Sequence, residues 1–278
     1  MGRRMWVGWV VVIALFASVG IQARWMAGSE RCFVTGGNPD PNRAVLRVLT
    51  LNMRHARGPD GVVSLERVAR AIEAYQPDLV ALQEVDRWLS RSGWVHQARW
   101  LGERLGMYWV FGENLRVGLG GYGNALLSRY PILDFDNHRL TSSSEPRGCL
   151  EVTVRWGEQL VTVFVVHLGV DEEERRRQLA TLETVTVGQG PVILCGDFND
   201  EDLPELDAGW RWLRTSATFP AWGPVATIDR VYVSEAWRRA EAQVVEVGVS
   251  DHHAVLATMG LGDWGERSRQ DEAPGRGG

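Results

Sequence analysis

The chain has 278 residues, 45% hydrophobic and 23% charged, a balance that suits one or two folded domains around a real core. Its net charge of −5 argues against a protein that grips nucleic acid through a broad basic face, though not against a local arginine patch. All 30 cationic residues are Arg, which excludes Schiff-base lysines, a P-loop lysine and Ser–Lys dyads.

From the N-terminus, nineteen uncharged residues run from Met5 to Ala23. At 1.5 Å per helical residue they would cover about 28 Å, the thickness of a bilayer's hydrocarbon core. Residues 1–24 are therefore expected to be a hydrophobic helix acting as an uncleaved anchor, with Arg3 and Arg4 cytoplasmic and the remainder extracytoplasmic. Cleavage near Ser18-Val19-Gly20, giving a secreted protein, is the alternative. Residues 25–43, with Gly36-Gly37-Asn38-Pro39-Asp40-Pro41, read as a linker, and 263–278 as a disordered tail. Between them, 44–262 is expected to be one folded unit.

Within that unit, Val45–Leu51 is a strand ending at Asn52. Leu65, Val68, Ile72 and Tyr75 recur at helical spacing, with Ser64 as N-cap and Pro77 beyond the end. A short buried strand, Leu79–Leu82, ends at Gln83-Glu84, and His96–Leu105 reads as helical. Met107–Phe111, Asn124–Leu127, Leu150–Val154 and Leu160–Val166 are strand candidates, the last ending at His167. Asp171–Val185 opens with acids that suit a helix N-terminus. Val192–Cys195 leads into Gly196-Asp197-Phe198-Asn199, and Ile228–Val233, Gln243–Val247 and His253–Met259 close the pattern. Helices mixed with consecutive strands predict a layered α/β fold with mixed sheets. The three cysteines are odd in number and lack a C-x-x-C, so neither a disulfide framework nor a zinc ribbon follows. Cys149 and Cys195 read as small buried hydrophobes. Thirteen Trp hint at interfacial or substrate-facing surface.

Polar residues repeatedly sit at the ends of apolar strands, where rigid scaffolds display reactive groups. Glu84, Asp197, Asp251, Asn52 and Asn199 offer hard oxygen ligands, which suit Mg²⁺ better than zinc. A cation beside two imidazoles, His167 and His252, fits hydrolysis of a phosphoester.

The motifs Leu51-Asn52-Met53-Arg54, Leu82-Gln83-Glu84-Val85, Gly123-Asn124-Ala125-Leu126-Leu127-Ser128, Val166-His167-Leu168, Gly196-Asp197-Phe198-Asn199, Ile228-Asp229-Arg230-Val231 and Ser250-Asp251-His252 occur in that order. In this the chain resembles the endonuclease/exonuclease/phosphatase superfamily, over residues 45 to 260. Arg175-Arg176-Arg177-Gln178 and Thr218-Phe219-Pro220-Ala221 are similar to its bacterial membrane-associated branch, which resembles proteins that remodel the lipid of glycosylphosphatidylinositol (GPI) anchors.

The resemblance implies a DNase I-like four-layer α/β/β/α sandwich of two mixed β-sheets and a Mg²⁺- or Mn²⁺-dependent phosphodiesterase. It implies Glu84, Asn52 and Asp251 as metal ligands, and Asp197 and Asn199 as the pair orienting nucleophile and phosphate. His252 would be the base or phosphate contact, oriented by Asp229, and His167 the second histidine. Arg147 and Asn124 would contact substrate phosphate, although close nuclease relatives carry a carboxylate near Asn124. The implied substrate is a lipid head group, a nucleic acid or a small phosphodiester, with the membrane engaged through the N-terminal segment and no obligate protein partner. The rival reading is an inactive membrane-tethered binding module on the same fold.

Overall fold

A computed structural model of the chain describes residues 30–32, 44–186, 190–203, 206 and 209–262. The hydrophobic segment expected at 1–24 and the tail expected from 263 lie outside the described residues. Among the described residues, no helix is long and apolar enough to cross a membrane.

In chain order the elements are β1 (Glu30–Cys32), β2 (Leu46–Asn52), α1 (Leu65–Tyr75), β3 (Leu79–Arg87), α2 (Gln97–Leu105), β4 (Tyr108–Val117), β5 (Gly120–Ser128) and β6 (Ile132–Leu140). Then come β7 (Arg147–Trp156), β8 (Gln159–His167), α3 (Glu172–Val185), β9 (Val192–Asp197), β10 (Trp210–Trp212), β11 (Asp229–Ser234), β12 (Arg239–Val245) and β13 (Ala254–Gly260). They build a seven-stranded sheet, β1-β4-β5-β3-β2-β13-β12, and a six-stranded sheet, β10-β11-β9-β8-β7-β6. Both sheets are mixed, since the parallel pairs β2–β3 and β8–β9 lie among antiparallel neighbours.

Three apolar clusters make the four layers. Between the sheets pack Leu46, Leu79, Val152, Val163, Ile193, Val231 and Val255. The outer face of the larger sheet is covered by α1 and α2 through Val68, Ile72 and Leu101. That of the smaller sheet is covered by α3 through Leu179 and Leu182. Strands buried on both faces read as near-continuous apolar runs, which is why β2, β8 and β9 were visible without alternation.

The helix ends follow local chemistry. Ser64 Oγ accepts from the Arg67 N–H at 3.4 Å, and Asp171 Oδ1 from that of Glu174 at 2.9 Å. His96, expected inside its helix, instead caps α2, its Nδ1 accepting from the Arg99 N–H at 3.3 Å. β6 was not expected, because only one face of an edge strand is covered and Asp134, Asp136 and His138 leave it little apolar pattern. β3 runs on past Glu84 to Arg87, shifting register between Leu82 and Val85. Residues 30–32, inside the stretch expected to be linker, pair antiparallel with β4.

Candidate active site

Strand register does the first part of the assembly. His167 ends β8, Asp197 ends the parallel β9 directly opposite it, and Asp229 begins the antiparallel β11 opposite Asp197. Residues opposite one another across a sheet share a face, so three positions from separate strands stand side by side. In the larger sheet, Asn52 ends β2 and Glu84 sits in the β3 register shift, while Asp251 and His252 immediately precede β13, the other neighbour of β2. The two groups meet where the sheets open at one edge.

Asn52 joins them. Its Nδ2 donates to Glu84 Oε1 at 3.1 Å and to Asp197 Oδ2 at 3.0 Å, across the gap between sheets. Asp197 is fully buried, and its Oδ1 accepts the Asn199 backbone N–H at 2.9 Å. Asn199 occupies the left-handed region at φ 50, which Asn tolerates, and donates from Nδ2 to Leu168 O at 2.9 Å. Asp229 Oδ2 takes hydrogen bonds from Thr218 Oγ at 2.6 Å and from His252 Nδ1 at 2.9 Å, and the Phe219 ring lies 4.8 Å from the imidazole. Ser250 Oγ donates to Asn52 O at 2.6 Å and accepts the His252 N–H at 3.2 Å, tying the β13 entry to the end of β2.

The two histidines differ in proton state. Arg147 Nη1 lies 3.1 Å from His167 Nδ1, and since a guanidinium only donates, Nδ1 accepts and Nε2 carries the proton. Burial lowers the His167 pKa, and the Arg147 and His252 charges reinforce this against Asp197, bringing it to about 3. Burial also opposes the charged form of His252. There the Asp229, Asp197 and Asp251 carboxylates and the Asp229 hydrogen bond outweigh it and push the pKa up to about 9. Both Nε2 atoms face Asp197 Oδ2, at 3.5 Å from His167 and 3.8 Å from His252.

The acidic groups suit a divalent cation. Burial raises the Glu84 pKa, and the Asp197 and Asp251 charges raise it further against the Asn52 hydrogen bond. Such mutual repulsion among clustered, largely desolvated carboxylates is what a hard cation relieves. Asp197, Asp229 and His252 also bring ligand atoms within 4.8 Å of one another. However, Asp229 Oδ2 and His252 Nδ1 are already bonded to each other, so this trio is better understood as a hydrogen-bonded Asp–His pair facing a carboxylate.

Asn124 departs from expectation. It is fully buried, and its Nδ2 donates to Gly148 O at 3.0 Å and Val165 O at 3.1 Å. It staples β5 to the opposite sheet and has no surface to offer a substrate phosphate. Arg147 is also engaged, by Glu145 at 2.8 Å as well as by His167.

Sequence reasoning missed the supporting residues. Thr218 and Ser250 hold the Asp229–His252 pair, and Arg54 Nε meets Asp251 Oδ2 at 3.2 Å. Ser250 and Arg54 lie inside quoted motifs and were within reach. Thr218 also lies in a quoted motif, Thr218-Phe219-Pro220-Ala221, but nothing in that motif couples it to Asp229 until the loop folds. His253 is buried, and its backbone N–H donates to Thr218 O at 2.8 Å.

Residues 49–252 match the Endonuclease/Exonuclease/phosphatase family. Escherichia coli K12 protein YbhP, itself uncharacterised, is 30% identical over 201 residues, covering 62% of this chain and 78% of YbhP. Among solved structures, an endonuclease/exonuclease/phosphatase from Beutenbergia cavernae superposes with a TM-score of 0.64 at 24% identity, over 79% of this chain and 72% of that one. D. rerio TDP2, complexed with a single-strand DNA product, superposes at 0.60 and 17% identity, over 78% and 99%. The match across most of the folded unit, together with the sandwich and the polar rim, makes this chain a member of the endonuclease/exonuclease/phosphatase family.

Proposed function

We propose that this protein hydrolyses phosphodiesters with the help of Mg²⁺ or Mn²⁺ held by Glu84 and Asp251, with Asn52 steadying the Glu84 carboxylate. A divalent ion bound there would neutralise charge building on the phosphate and its leaving oxygen. Asp197, fixed by Asn52 and the Asn199 N–H, is placed to orient a water and take its proton. His252, charged and held by Asp229, and His167, neutral with its proton on Nε2, are placed to donate to non-bridging phosphate oxygens. Arg147 positions His167 through Nδ1, and Asn199 completes the donor set.

The observation that carries this reading is the meeting of both sheets' polar strand ends around Asp197, bridged by the Asn52 amide. Asp197→Ala and His252→Ala should each lower metal-dependent hydrolysis of bis(4-nitrophenyl) phosphate about a hundredfold or more while circular dichroism stays unchanged. Near-wild-type turnover in either variant would remove the assignment. Folded protein that binds neither Mg²⁺ nor Mn²⁺ in calorimetry would favour the inactive tethered module. The apolar run at 5–23 supports a membrane-anchored, extracytoplasmic location, and the solved relative bearing DNA keeps nucleic acid among the candidate substrates.

A further inference from the structure

The loops around the polar edge are unusually greasy. Of the eleven large apolar side chains exposed among the described residues, nine lie on loops or hairpin ends at that edge; only Leu133 and Leu160 lie toward the other. Trp88 and Trp94 flank the turn between β3 and α2, Leu119 tips the β4–β5 hairpin, and Val170 follows β8. Trp222 and Val225 stand on the loop before β11. Leu119 is 90% exposed and Trp94 68%. Scattered exposed apolar residues mean little, but a one-sided set ringing a site marks a contact surface. Tryptophan, apolar with one polar N–H, is the residue favoured where a surface meets the head-group layer of a bilayer.

The polarity of β1 says what covers this rim. Glu30 pairs with Phe111 and Cys32 with Trp109, while β4 runs from Tyr108 up to the hairpin at the polar edge. β1 therefore enters from the rim side and runs away from it. Only residues 24–29 separate Glu30 from the uncharged run ending at Ala23, a span of at most about 25 Å. If that run meets a membrane, the same membrane is within reach of the rim.

We propose that the apolar rim docks on a lipid bilayer surface, so that the pocket opens onto phosphodiesters carried by lipid head groups. This builds on the hydrolase reading above, but the test separates the two. Full-length protein carrying Leu119→Cys or Leu160→Cys, each with Cys32→Ser, would be labelled with an environment-sensitive fluorophore; the other cysteines, Cys149 and Cys195, are buried. Vesicles of phosphatidylcholine with a minority of phosphatidylglycerol should blue-shift the label at 119, and brominated lipid should quench it several-fold. The label at 160, on the opposite edge, should stay in water. No response at 119, or an equal response at both positions, would overturn the docking surface. So would a label at 119 that responds to a single-stranded oligonucleotide and not to vesicles, which would favour nucleic acid. Hydrolysis of bis(4-nitrophenyl) phosphate by the same proteins reports on the reaction alone. An embedded label without hydrolysis would spare the surface and sink the hydrolase reading, and the reverse result would do the opposite.

Discussion

His167 accepts from Arg147 at Nδ1, whereas His252 donates to Asp229 from the same ring position; burial keeps the first neutral, and the surrounding carboxylates hold the second charged. With a folded pKa of about 3 against an ordinary 6.5, His167 adds stability that is present above pH 6.5 and lost as pH falls toward 3, because the unfolded chain takes the proton first. His252, with a folded pKa of about 9, adds stability that is present below pH 6.5 and lost as pH rises to 9. Urea unfolding of metal-free protein should therefore show stability falling on both sides of neutrality. His252→Ala should flatten the alkaline limb and His167→Gln should shallow the acid one. Each limb is limited to about 1.4 kcal/mol per pH unit per group. An alkaline limb unchanged in His252→Ala would refute the assignment of its proton.

At the scale of elements, motif glycines keep strands close enough to deliver these side chains. Gly196 sits at φ 144 beside β8, where an added Cβ would lie 2.0 Å from Val166 O. Gly123, just before Asn124, would place a Cβ 2.0 Å from Gly112 O. Both obstacles are backbone and cannot swing aside. Gly196→Ala and Gly123→Ala are each expected to cost more than about 3 kcal/mol in denaturant unfolding, beyond the range of most single substitutions. By contrast, Ser64→Ala removes only the α1 cap and should cost about 1 kcal/mol. A Gly196→Ala protein as stable as Ser64→Ala would mean that β8 and β9 are not held this tightly. Glu84, at φ 56, is turned by the β3 register shift toward Asn52, so a local irregularity does what a regular strand would not.

Across the whole molecule, stability and function pull against each other at the polar edge. Glu84 is held beside Asp197 and Asp251 with its pKa raised by burial and by their charges, so its ionised form costs folding energy at neutral pH. Glu84→Gln should match or exceed the wild-type melting temperature without metal, yet lose the rise that added Mg²⁺ produces in the wild type by binding the folded state. A Glu84→Gln protein that still gains stability from Mg²⁺ would move the ion elsewhere, with Asp197 and Asp251 the next carboxylates to test.

The sequence alone determined the layered α/β character, most strands and the ordered set of polar strand ends, because apolar runs and the groups that punctuate them are local patterns. It carried Asn52, Glu84, Asp197, Asp229 and His252 as candidates on residue type and motif order. Edge strand β6 escaped because half-solvated strands lose their apolar signature, and Asn124 was misjudged because its neighbours come from the other sheet. Only the tertiary structure decided that Asn52 spans the gap between sheets, that Thr218 supports Asp229 and that one imidazole is neutral while the other is charged. Each depends on contacts between residues from 11 to 145 positions apart or on burial, and neither is written in the spacing of any one segment.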